Sequence, residues 1–163
     1  MPALALGLEK KEPGIMKRKP RSKDSGIYAD GMFFDLIYQG IVIASLILLS
    51  YFIGVLIDTG MWQVTYSERG ISMAFLTMSM VGCFHAVNLR SRRQSLFALK
   101  NRNWILMASV AVALILTTIV CEVDPIAAAF KLTRLEPVEW FISLGLGFAI
   151  IPIVELVKFF QRT

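Results

Sequence analysis

Of 163 residues, 56% are hydrophobic and 18% charged, against about 45–50% and about 25% in soluble globular domains; with a mean hydropathy of +0.63, this balance excludes an ordinary soluble domain. The net charge of +5 does not point to nucleic acid, because the apolar runs leave little water-facing surface for a basic patch. Cys83 and Cys121 both lie inside apolar runs, which excludes a disulfide framework or a cysteine metal cluster and leaves them as buried, small apolar residues.

Residues 1–31 read as a basic cytoplasmic tail: a short apolar start, Pro2 to Leu8, is followed by a cationic stretch broken by Pro13, Gly14 and Pro20. The start lacks the succession of regions that marks a cleavable signal peptide, so insertion should rest on the first spanning helix. That first span is expected from Met32 to Ile57, with Asp35 as its one charge. At about 1.5 Å per residue it exceeds the roughly 30 Å hydrocarbon core even when tilted. The second, Ile71 to Asn88, carries Ser, Thr and His85 and gives only about 27 Å of helix. Such a helix should face protein on one side. The third is expected at Trp104 to Cys121 and the fourth at Val138 to Phe160. Pro152 should kink the fourth, since it donates no hydrogen bond and crowds the carbonyl one turn before. The fold class is therefore all-α: residues 32–163 form a polytopic membrane domain of four transmembrane helices.

Charge asymmetry gives the expected orientation, because loops rich in Lys and Arg stay on the cytoplasmic side. Fourteen of the seventeen cations fall in the tail, in the loop between the second and third spans, and at the C-terminus; the opposite loops hold Arg69, Lys131 and Arg134. Both termini are therefore expected in the cytoplasm. Trp62, Trp104, Trp140, Tyr51 and Tyr66 lie at or near span ends, where amphipathic rings favour the headgroup region.

Motifs for chemistry are absent. The chain has one His, no GxxxxGK[ST] loop and no Asp-Lys-Thr run, so neither nucleotide binding nor a phosphoenzyme is expected of it. No catalytic, cofactor-binding or metal-binding residue is assigned.

Three stretches carry a resemblance. MPALALGLEKKEPGIMKRKPR, Met1 to Arg21, closely resembles the segment after the sixth membrane helix of calcium-type P-type cation-transporting ATPases. Met73 to Phe97, MAFLTMSMVGCFHAVNLRSRRQSLF, resembles their eighth helix and its cytoplasmic exit, and Glu139 to Phe160, EWFISLGLGFAIIPIVELVKFF, their tenth. The resemblance implies that the four spans are helices seven to ten, the C-terminal support module of an ATP-driven pump, most readily a calcium pump. It also implies ATP, Mg and Ca for the complete pump and none on this chain. The partners implied are the lipid bilayer, the remaining helices and the cytoplasmic domains, in the plasma membrane of a prokaryote. In the family, cation sites are built mainly on helices four to six, before the stretch matched by Met1. The animal reticulum members add a Glu on the eighth helix. Aligning Ala86-Val87-Asn88 on their Ala-Leu-Asn sets Gly82 at that Glu, so the carboxylate is lacking here, and no metal site is carried over. The chain reads as a fragment or truncated product without activity of its own. The rival reading is an autonomous four-helix regulatory or assembly subunit of a pump.

Individual polar residues have competing readings. An ionisable residue within a span is a functional candidate; for His85, one turn from the cytoplasmic end and beside Asn88, an interhelical hydrogen bond outweighs ion relay. Asp35 fits a cap at the start of the first span, where its charge suits the helix dipole. Glu155 and Lys158, three residues apart, suit a local ion pair or snorkelling better than transport. Gly82, Gly145 and Gly147, with Ala149, are expected to let helices approach closely. The Arg90-Ser91-Arg92-Arg93 cluster serves equally as a topology signal drawn to anionic lipid, at about 1 kcal/mol per cation, or as a docking surface for a cytoplasmic domain.

Overall fold

A computed structural model describes Gly7 and residues 32–89 and 103–162 of the chain. The basic tail and the Arg90–Arg93 cluster lie outside the described residues. Helices α1 (Met32–Thr59), α2 (Glu68–Asn88), α3 (Trp104–Glu122), α4 (Asp124–Ala129) and α5 (Pro137–Arg162) follow in order, with no strand among the described residues. All but α4 are long and apolar enough to cross a membrane, in agreement with the four expected spans. The chain is an integral membrane protein.

Local chemistry sets the helix ends. Gly60 adopts φ 73° and returns its N–H to the Leu56 carbonyl at 2.8 Å. Glycine reaches that left-handed conformation without a Cβ penalty and so closes α1. Ser67 caps α2 by accepting the Gly70 N–H at 2.9 Å. The helix therefore begins three residues before the apolar run at Ile71. Asn103 caps α3 in the same way through the Leu106 N–H. Sequence reading missed α4. Pro125 occupies its first turn, where a missing N–H costs nothing. Lys131 ends it at φ 55°, with Leu132 N–H bonding the Ala127 carbonyl and Lys131 N–H the Ala128 carbonyl, the paired pattern of a Schellman cap. Asp35 sits in the first turn of α1, on the side of the helix dipole that favours an anion. At α5 the helix continues through Pro152 to Arg162.

Helix α2 is the centre of the bundle. Half of its spanning window is buried, against 17–22% in the other three spans, as its Ser, Thr and Asn content requires of a helix shielded from lipid. The hydrophobic clusters join Met73, Leu76 and Met80 of α2 to Cys121 of α3, and Val81 to Leu46 of α1 and to Ile150 and Val154 of α5. Cys83 packs on Leu106 and Val110 of α3. These pairings set the directions: α1 and α3 run antiparallel to α2, and α5 runs parallel to it. The starts of α1 and α3 and the ends of α2 and α5 consequently share one side of the bundle.

Candidate functional site

Helix α2, whose Cys83 side packs on α3, presents three further faces with different chemistry. Toward α1 it is small and polar. A Cβ added at Gly54 would lie 2.6 Å from the Gly70 Cα, so two glycines bring the backbones together where no side chain fits. Thr77 donates its hydroxyl to Ser50 Oγ at 2.7 Å, both fully buried. The connecting loop is tied at both ends, Tyr51 O–H reaching the Thr65 carbonyl at 2.7 Å and Ser67 O–H reaching Asp58 Oδ2 at 2.9 Å.

Toward α5, charged contacts close both ends. At the N-terminal end Arg69 meets the buried carboxylate of Glu139 at 2.6 Å. The second oxygen of Glu139 accepts the Glu136 N–H at 2.8 Å, so one carboxylate both caps α5 at its third position and anchors α2. Glu136 stands 3.9 Å from the same guanidinium. Thr133 donates its N–H to Ser72 Oγ and its hydroxyl to Glu68 Oε2, fastening the α4–α5 connection onto α2. At the other end, Lys158 Nζ donates to the Asn88 carbonyl at 3.0 Å and lies 3.3 Å from Glu155. The ammonium thereby meets a carbonyl at the negative end of the α2 dipole. Asn88 Nδ2 donates to the Ile150 carbonyl at 3.2 Å, two residues after the carbonyl of Phe148 that Pro152 cannot serve. Between these ends, a Cβ at Gly147 would fall 2.6 Å from Met80 Cβ.

The third face of α2 is open: Met78 is 61% exposed, and a Cβ built at Gly82 meets nothing within 4 Å.

The expected residues thus divide. The Glu155–Lys158 pair forms as its spacing implied. The interhelical hydrogen bond expected of His85 is made by Asn88; His85 Nδ1 is enclosed with no hydrogen-bond partner among the described residues. Of the three glycines expected at close contacts, Gly147 makes one, and Gly82 and Gly145 meet nothing within 4 Å among the described residues. Sequence reading missed Gly54, Gly70 and the Arg69–Glu139 contact. No three His, Cys, Asp or Glu side chains converge as a metal site among the described residues.

The family described as "Cation transporting ATPase, C-terminus" matches residues 1–160. Among curated proteins, the chain is 32% identical to a calcium-transporting ATPase of Listeria monocytogenes, over 99% of this chain and 18% of that protein. It is 30% identical to calcium-transporting ATPase 1 of Lactococcus lactis, over 97% of this chain and 17% of that one. An endoplasmic reticulum-type calcium-transporting ATPase of Arabidopsis thaliana is 27% identical over 99% of this chain and 18% of its own length. The chain spans less than a fifth of the length of these relatives.

Proposed function

This chain belongs to the family of cation-transporting ATPase C-terminal regions, and on that premise we propose that it is the non-catalytic membrane support module of an ATP-driven cation pump, with calcium as the transported ion. The calcium assignment is supported by the names of the relatives. Residues 32–163 constitute the module and 1–31 its cytoplasmic basic tail. ATP, Mg and Ca act on the complete pump, whose remaining helices and cytoplasmic domains are the module's partners, in the plasma membrane of a prokaryote.

The observation that carries this reading is the division of labour on α2. Two of its faces are closed by glycine contacts and charged contacts within the chain, whereas the face bearing Met78 and Gly82 is left open. A membrane helix gains no hydrophobic drive by leaving lipid for another helix. An open small residue beside a rigid, well-braced stem is what a neighbouring helix requires for close packing. Gly82→Leu should push such a helix away and weaken association by about 1–3 kcal/mol, the usual cost of overpacking. The measurement is co-purification of this chain with a separately expressed partner half of the pump, against Leu48→Ile as a volume-conserving control on the exposed side of α1. Equal recovery of the two variants would remove the proposed interface and favour an autonomous subunit.

A further inference from the structure

Helix α3 reaches the bundle through α2 and α4, and its packing against α5 is slight. Where the end of α3 and the start of α5 diverge, they leave a groove of about 380 Å³ lined by Thr118, Glu122, Arg134, Leu135, Trp140 and Phe141. Its volume lies in the range of small-ligand clefts. Phe141 is well exposed at its wall. At its mouth Arg134 Nε meets Glu122 Oε2 at 3.2 Å, with the arginine 69% and the glutamate 32% exposed. Glu122 is the last residue of α3, and Trp140 lies in the first turn of α5. The groove therefore opens at headgroup depth, where Trp is favoured, with apolar walls running toward the hydrocarbon.

We propose that this groove is a site for an aminophospholipid of the phosphatidylethanolamine type, its phosphate on Arg134, its ammonium on Glu122, and the upper part of an acyl chain along Trp140 and Phe141. The charge pair supplies the complementarity. The Nε contact uses one of five guanidinium donors and one carboxylate oxygen, which leaves donors for a phosphate and the second oxygen for an N–H donor. A zwitterion matches both signs, whereas an anionic headgroup would meet Glu122 unpaid by any cation of its own. Asp124, two residues beyond Glu122 in sequence, adds to that bias. A quaternary choline lacks the N–H that Glu122 accepts. The inference rests on the bilayer placement of the chain and is independent of the pump reading.

The test is competitive retention. The purified chain is equilibrated in mixed micelles holding equal amounts of phosphatidylethanolamine, its mono-, di- and trimethylated forms and phosphatidylglycerol, all with identical acyl chains. Retained lipid is then measured by mass spectrometry. Phosphatidylethanolamine should be enriched roughly two- to fivefold over the trimethylated and glycerol lipids, the range an exposed ion pair supports. Retention should fall stepwise with methylation, and Glu122→Gln should erase the preference over phosphatidylglycerol. Lys131→Gln, outside the groove lining, should leave the profile unchanged. Equal retention of all five lipids by the unmodified chain, or preferential retention of phosphatidylglycerol, would overturn the proposal. The lipid series needs no substitution, so a variant that failed to fold would not decide the matter.

Discussion

At the residue scale, the glycines separate by what surrounds them. Gly54 faces the Gly70 backbone and Gly147 faces Met80 Cβ, each with 2.6 Å to an added Cβ, and neither neighbour is the far end of a flexible side chain. Gly54→Ala and Gly147→Ala should each force helix axes apart and destabilise the chain by about 1–3 kcal/mol. Gly145→Ala meets open space and should be neutral or stabilise by up to about 1 kcal/mol through helix propensity. Unfolding of the three variants in mixed micelles, followed by the helical circular dichroism signal, checks the order; a Gly145→Ala variant as damaged as Gly54→Ala would contradict it. Little of this division was legible in the sequence, where Gly54, Gly82, Gly145 and Gly147 all stand within apolar helices. Whether a glycine meets another backbone is settled by the partner helix, and nothing local to the glycine records it.

At the element scale, span positions were legible because a bilayer demands about twenty apolar residues in a row, and runs of that length are hard to mistake. The largest boundary shift, three residues at the start of α2, comes from a cap outside the run, Ser67. The Glu155–Lys158 pair was legible because residues three apart share a helix face. The Arg69–Glu139 contact was not, since its partners lie 70 positions apart in sequence. That contact carries a prediction for the α2–α5 pair. Glu139→Ala should cost about 2–4 kcal/mol, because it uncaps α5 and leaves Arg69 only the longer, exposed contact to Glu136. Arg69→Met combined with Glu139→Leu should cost less than Glu139→Ala alone, because no charge is then left without its partner. A double-substitution cycle on unfolding midpoints measures this. Additive losses would show that the two side chains do not act together.

At the scale of the whole molecule, alternating helix directions place the starts of α1 and α3 and the ends of α2 and α5 on one side. We propose that this side is the cytoplasmic one, because fourteen of the seventeen Lys and Arg residues fall in sequence before α1, between α2 and α3, or near the end of α5. Single cysteines introduced at positions 23 and 163 of a chain lacking Cys83 and Cys121 should react with an impermeant maleimide only after the membrane is opened. Residue 63, in the α1–α2 loop, should react from outside without opening. Labelling of both terminal positions in sealed cells would reverse the assignment. The proposed orientation comes from composition alone. The packing that makes α2 the hub required the folded chain, because hub status follows from how many helices find a face on it.

The hairpin of α1 and α2 bears on how the protein enters its membrane. Helix α2 carries Ser72, Thr77, Ser79, His85 and Asn88 along a barely sufficient length, and alone it is a poor substrate for the insertion machinery. Helix α1, strongly apolar and emerging first, offers it the Ser50 hydroxyl and the Gly54 notch, so the pair can partition as one unit with its polar seam already closed. In a reconstituted translation system, glycosylation tags flanking α2 should show efficient membrane integration behind α1. Integration should drop several-fold when α1 is replaced by a polyleucine span without Ser50 and Gly54. Unchanged integration would mean that α2 enters unaided, and that the seam is sealed only later, within the lipid.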